Sequence, residues 1–191
     1  MASERYAVVD VKTTGFNSVH DRIVEMACVQ VDADRIIGRW TTLVNPGIPI
    51  PAQATAIHGI TDAHVRKAPA LQPALAQLRR LCEGRTIVAH SARFELSFLG
   101  RSIATRALCT VRLARVVFPE APNHKNQTLR TFLAIDAAVG EHLSAHRALA
   151  DAVVTAHILL ACRRRFRASF PSMRWERFLL ETDSFAQAAA A

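Results

Sequence analysis

The chain has 191 residues, 50% of them hydrophobic, with 7 glycines and 8 prolines, which suits one compact domain with a single core and argues against two full domains. Its 24 Lys and Arg against 16 Asp and Glu leave a formal net charge of +8, the sign expected of a phosphate-binding surface. No apolar run reaches membrane-spanning length; the longest, AVVTAHILLAC, is broken by His157. The start, MASERYAVVDV, lacks the basic flank, apolar centre and cleavage site of a secretory signal, so a soluble, cytoplasmic protein is expected. Cys28, Cys82, Cys109 and Cys162 form no C-x-x-C pair, which argues against a zinc site or a disulfide framework and for buried free thiols.

In chain order, RYAVVDV reads as a buried strand, and RIVEMACVQV and RIIGRWTTLV follow as β-rich runs around the polar turn DAD. The NPG turn at 45–47 ends this meander, and a proline-punctuated loop leads to IHGITDAHV, with Thr61 as a helix N-cap. Leu71, Leu75, Leu78 and Leu81 then recur at helical spacing. RTIVAH is too short for a helix and reads as a fourth strand, followed by a helical ARFELSFLG that stops at Gly100. ALCT is a candidate fifth strand before the helical VRLARVVF, and PEAPNHKNQ at 119–127 reads as a flexible loop. A last helix is expected from about Ala145 to Phe166, and residues 181–191 as a loose tail behind a single domain of residues 1–180. The whole predicts an α/β fold, a mixed sheet of about five strands flanked by helices.

Residues 163–178, RRRFRASFPSMRWERF, interleave arginines with Phe166, Phe170, Trp175 and Phe178. Arginine beside aromatics suits single-stranded nucleic acid, whose phosphates need cations and whose bases need stacking faces. The plainer and favoured reading is a helix end with solvated arginines and inward aromatics.

Three acids fall at telling places: Asp10 near the end of the first strand, Glu95 in the helix after the fourth, and Asp151 in the last helix, five residues after His146. Acids at strand ends and in facing helices can converge on one edge of a sheet. Converging carboxylates repel unless a cation neutralises them, and oxygen ligands favour Mg²⁺ or Mn²⁺ over zinc. Two such ions about 3.5–4 Å apart can activate water and stabilise a leaving oxygen in phosphodiester hydrolysis.

VVDVKTTG, VAHSARFELSFL and HRALADA, in that order with LVNPGIPIPAQATAIHGITDAHV between the first two, resemble the motifs of the DEDDh 3′–5′ exonuclease family, of the polymerase III proofreading-subunit type. The resemblance covers about residues 5–162 and implies a ribonuclease H-like fold with two divalent ions, Mg²⁺ or Mn²⁺. It implies that Asp10, Glu95 and Asp151 hold metal and that His146 is the general base toward the attacking water. It also places Thr13, Thr14, Gly15, Phe16, His90, Ser91 and Phe94 toward the substrate, single-stranded DNA or RNA 3′ ends. For Phe16 core packing is the equal alternative, and His58 is expected to be a structural hydrogen-bonder. A polymerase or a second copy of the chain would be the partner by the same resemblance.

Lys12 departs from that pattern, which has glutamate there as a metal ligand. Strand periodicity puts Lys12 on the face of Asp10, so its ammonium points into the metal pocket. Like unit charges about 4 Å apart cost on the order of 4 kcal/mol at an effective dielectric of about 20, and a divalent ion doubles this. Lys12 could instead neutralise Asp10 and Asp151 itself, or bend outward on its flexible stem. Glu95 adds a methylene to the family's second-motif aspartate, and Ser91 replaces the usual asparagine. Two readings follow: an exonuclease weakened by Lys12, or a catalytically impaired relative that binds nucleic-acid ends or a partner.

Overall fold

The computed structural model describes residues 5–135 and 146–187. β1 (Arg5–Thr13), β2 (Ile23–Asp32) and β3 (Arg35–Leu43) form the expected antiparallel meander. α1 (Ala52–His58), α2 (Asp62–Val65) and α3 (Leu71–Cys82) lead to β4 (Thr86–Ala89), which pairs parallel to β1. After α4 (Ala92–Leu99) comes β5 (Arg106–Cys109), parallel to β4, and then α5 (Thr110–Val117), α6 (Asn126–Phe132), α7 (Ala148–Ser169) and α8 (Trp175–Glu181). β6 (Phe185–Gln187) closes the sheet antiparallel to β5, giving the order β3-β2-β1-β4-β5-β6.

β1 is central, and its two faces feed two different cores. Tyr6 and Val8 pack with Ala27, Val29 and Val31 under α7, whereas Ala7, Val9 and Val11 pack with Leu75, Leu78 and Leu96 of α3 and α4. Burial on both faces explains why β1 reads as a continuous apolar run, as central strands in mixed sheets do. The face carrying Tyr6 and Val8 also carries Asp10 and Lys12, because side chains alternate along a strand. α7, 22 residues and therefore about 33 Å long, lies on that same face. Val153, Ala156 and Leu159 are fully buried and Leu160 is buried, in a helix that begins at Ala148 and runs on to Ser169.

Two sequence expectations are corrected, and the expected mixed sheet gains one edge strand. The tail does not begin at residue 181: α8 ends there, Ser184 O accepts from Cys109 N at 2.7 Å, Ala186 is buried, and Arg112 bonds Asp183 and the Phe185 carbonyl. The sheet thus has six strands among the described residues; a three-residue edge strand has too little periodicity to announce itself. The loop at 119–127 is shorter than expected, since α6 starts at Asn126. Residues 188–191, and the Ala145 start of the last helix, lie outside the described residues.

The arginine and aromatic segment follows the plainer reading in part: Phe166, Trp175 and Phe178 turn inward, but Phe170 is exposed and Arg163 is not solvated. Arg163 is buried and bonds the Ala33 carbonyl and Asp34, Arg165 pairs with Glu120, and Arg167 with Asp34. Phe166, Phe170, Trp175 and Phe178 stack on one another, and Trp175 Nε1 donates to the Tyr6 hydroxyl at 3.0 Å. No helix among the described residues is long and apolar enough to cross a membrane. All four cysteines are free and buried.

Deleting residues 184–191 should lower the melting temperature by more than about 5 °C, since 1 kcal/mol is worth about 2–4 °C at this size. An unchanged thermal transition by circular dichroism would mean that β6 adds nothing to the sheet.

Candidate active site

The site forms at the C-terminal ends of the parallel strands β1 and β4, the edge at which open α/β sheets place ligands. Asp10 and Lys12 come from β1, Asp151 from the first turn of α7, and Glu95 from α4 behind β4. All three acids are buried, at 7%, 7% and 5% exposure for Asp10, Asp151 and Glu95. Lys12 lies among them. Its Nζ donates to Asp10 Oδ2 at 2.8 Å and to Asp151 Oδ2 at 2.7 Å, so one ammonium bridges the two carboxylates. The side chain therefore bends inward, not outward.

The other Asp151 oxygen, Oδ1, accepts from Gln127 Nε2 at 2.8 Å, and Asn126 Nδ2 reaches the Asp151 carbonyl at 3.3 Å. Neither amide stands out in the sequence. Both belong to the segment that reads as a flexible loop, and only the packing of α6 on α7 reveals them.

The charge count explains the titration behaviour. Three acids share one ammonium, so excess negative charge must be relieved by protons or by another cation. Burial, with Asp151 and Glu25 nearby, pushes the Asp10 carboxyl up to about 7 against the pull of Lys12. Burial and the Asp10 charge push Glu95 well above the usual carboxylate range. Burial works against the Lys12 ammonium, but Asp10 and Asp151 outweigh it and hold Lys12 above its ordinary value.

The fit to divalent ions differs across the site. Glu95 Oε2 is buried with no hydrogen-bond partner, the kind of orphaned acceptor a cation would satisfy. The space between Asp10 and Asp151 is already filled by the Lys12 ammonium, and among the described residues no group of three or more His, Cys, Asp and Glu could hold a metal as arranged. Glu95 thus leaves one unpartnered acceptor that a cation could satisfy, while the place between Asp10 and Asp151 is taken as long as Lys12 stays there.

His146 sits two residues before α7 with φ +64° and is exposed. It is at the helix entrance, as the five-residue spacing to Asp151 requires, but does not turn inward.

A pocket of about 320 Å³ reaches Lys12 and is bounded further by Thr13, Gly15, Phe16, Ile57, His58 and Phe94. Phe16 is 80% exposed, which removes the core-packing alternative, and its ring lies 6.2 Å from that of Phe94. The turn behind Phe16 is stiff. Thr14 Oγ1 and Asn17 N both donate to Asp21, whose carboxylate leaves no space for a Cβ on Gly15. Ile60 N donates to His58 Nδ1 at 3.0 Å, which leaves the ring proton on Nε2 to donate to the Thr13 carbonyl at 3.3 Å. His58 is thus the expected structural hydrogen-bonder, and burial lowers its pKa.

His90 does not face the pocket. Its ring nitrogens engage Thr110 Oγ1 at 2.9 Å and the His124 carbonyl at 3.0 Å, and burial lowers its pKa to about 4. Its place is structural, tying the end of β4 to the loop before α6. Ser91 is exposed at the N-cap of α4, without a side-chain cap bond.

A central mixed sheet flanked by helices, with acids from the central strand, a short helix and a long helix gathered at one edge, defines a ribonuclease H-like nuclease fold. The exonuclease family model RNase_T matches residues 7–159, and the chain belongs to this family, the DEDDh type of 3′–5′ exonucleases. A DNA polymerase III subunit epsilon-like protein of Rhodobacter capsulatus is 41% identical over 165 residues, covering 81% of this chain and 23% of that protein. The PolC-type DNA polymerase III of Caldanaerobacter subterraneus subsp. tengcongensis is 32% identical over 162 residues, 81% of this chain and 11% of that protein. The chain thus spans less than a quarter of the length of these relatives. Among solved structures, exonuclease X in complex with 5′ overhanging duplex DNA superposes with a TM-score of 0.77 at 28% identity, covering 93% of this chain and 99% of that one. E. coli exonuclease I in complex with a dT13 oligonucleotide shares the fold, with a TM-score of 0.73 at 18% identity over 88% of this chain and 43% of that one.

Because Glu95 has a raised pKa in the folded state, it opposes folding increasingly as pH rises above its unfolded value near 4.5. Glu95→Gln in EDTA should therefore melt higher than the parent at pH 8, with the difference shrinking toward zero near pH 4. Each tenfold difference in proton affinity between the folded and unfolded chain is worth about 1.4 kcal/mol. A pH-independent difference would show that Glu95 is not held in its neutral form.

Proposed function

We propose that this domain is a metal-dependent exonuclease that removes nucleotides from the 3′ ends of single-stranded DNA or RNA, slowed by Lys12. The observation that carries the reading is the convergence of Asp10, Glu95 and Asp151, from three separate elements, beside an apolar pocket with an exposed aromatic rim. Buried acids held together at such electrostatic cost are a functional signature more than a structural one.

In this reading the terminal base enters the pocket between Phe16 and Phe94, and the backbone of Thr14 and Gly15 fixes the last sugar. Stacking of a base on an aromatic ring contributes about 1–3 kcal/mol and tolerates any base. The scissile phosphate then lies over Asp10 and Glu95. Asp10 and Glu95 would hold a divalent ion there, which would supply charge neutralisation at the phosphate and activation of water. His146, exposed at the entrance of α7, takes the proton of the attacking water as its oxygen bonds to phosphorus. The bond from phosphorus to the 3′ oxygen breaks, and solvent protonates the departing oxygen. Lys12 holds Asp151 with a single fixed charge where the family pattern has a second metal ligand, so turnover is lower than with glutamate at position 12.

A second reading rests on the same ion pairs. If Lys12 never leaves Asp10 and Asp151, the domain binds ends without cutting. The polymerase names of the relatives support a polymerase as the partner class, with a second copy of the chain as the alternative.

A 5′-labelled oligonucleotide, DNA and RNA in parallel, should shorten from its 3′ end with Mn²⁺ or Mg²⁺ and not with EDTA. Lys12→Glu should cut at least about tenfold faster and Asp10→Ala not at all. Cutting by Lys12→Glu alone would establish the end-binding reading for the chain as it stands. Absence of cutting by both would refute the exonuclease reading.

A further inference from the structure

Glu25 is the most deeply buried acid among the described residues, at 2% exposure, and no motif in the sequence includes it. It lies in β2 directly opposite Lys12, on the sheet face that carries Asp10 and meets α7. Its carboxylate does not pair with Lys12. It accepts from Arg147 Nε at 3.1 Å to each oxygen, from Arg147 Nη2 at 2.5 Å, and from the backbone N–H of Ala148 at 2.7 Å. One acid thus clamps both the guanidinium before α7 and the first amide of the helix.

We propose that Glu25, through Arg147 and the Ala148 amide, is a positioning residue that fixes the entrance of α7, and with it the place of Asp151 beside Asp10 and the direction in which His146 leaves the helix. The proposal rests on the exonuclease reading above.

Three features of the geometry carry it. Arg147 is the last non-helical residue, at φ −94° and ψ 144°, and follows His146 in a left-handed conformation. Such a kink has no regular hydrogen-bond ladder, so whatever holds Arg147 fixes the direction in which His146 leaves the helix. The Arg147 carbonyl also accepts from Asp151 N at 3.0 Å, placing Asp151 one turn beyond the clamp. Finally, a buried carboxylate at a helix N-terminus is favoured by the helix dipole and by bidentate guanidinium pairing, and leaving either side unpaired is costly. Because Arg147 and Ala148 satisfy Glu25, the neighbouring Lys12 is left to Asp10 and Asp151.

Glu25→Gln, Arg147→Leu and Arg147→Lys, each in the chain as given and in Lys12→Glu, test the clamp. Glu25→Gln keeps an acceptor for Ala148 and loses the charge that holds Arg147. The expected result is local: amide exchange at Ala148 and Asp151 quickens about tenfold, while exchange in β1 and β4 is unchanged. In the cutting background kcat falls about ten- to a hundredfold with KM within about threefold, and Arg147→Lys recovers part of the loss. Unchanged kcat, or a loss of exchange protection across the whole sheet together with a raised KM, would overturn the proposal. If neither background cuts, the exonuclease reading fails on its own, and exchange at Ala148 and Asp151 still decides the clamp: faster locally upholds it, unchanged overturns it.

Discussion

A single ammonium shared by two buried carboxylates organises this site. Asp10 and Asp151 reach it from a strand and a helix more than a hundred residues apart in sequence, and Lys12 holds each of them within hydrogen-bonding distance. Without a cation at that point the two acids would repel in a poorly solvated space; with it, they can be kept together in the folded state. One positive charge does not balance three acids, however. The surplus shows in Glu95, whose carboxyl stays well above its ordinary range and whose Oε2 has no partner. The site is therefore held together on the Asp151 side and left electrostatically unsatisfied on the Glu95 side.

The rest of the fold serves that arrangement. β1 is locked between two cores, so the alternation that aims Asp10 and Lys12 at α7 is over-determined by Tyr6 and Val8 on one face and Ala7, Val9 and Val11 on the other. Slipping the strand by one residue would turn both charged residues into the opposite core. Beyond the strand, Asp21 and His58 hold the turn that presents Phe16, and Gln127 and Glu25 hold the start of α7 from two sides. The chemistry-bearing side chains are thus supported mostly by polar contacts to rigid elements, which is how a site keeps its geometry without packing its own centre.

Much of this is legible in the sequence because it depends on periodicity. The face shared by Asp10 and Lys12 follows from strand alternation, whereas the sequence leaves open whether Lys12 bends inward or outward, and the folded site decides it. The leucine spacing of α3 likewise appears in the chain. What cannot be read there depends on long-range contact. β6 is too short to show a period, Gln127 becomes a partner of Asp151 only when α6 docks, and Glu25 looks like one polar residue in a β-rich run. His90 misleads because it sits within a motif; its two hydrogen bonds, to Thr110 and to the His124 carbonyl, come from segments that sequence spacing does not bring near it.

The most direct test of the account is the number of Mn²⁺ ions bound, measured by isothermal titration calorimetry on the chain as given and on Lys12→Glu. With Lys12 filling the space between Asp10 and Asp151, the given chain should bind at most one ion, and Lys12→Glu two. Two ions bound with equal affinity by both proteins would show that the ammonium yields its place freely, and would contradict the claim that Lys12 is the cation on which this site is built.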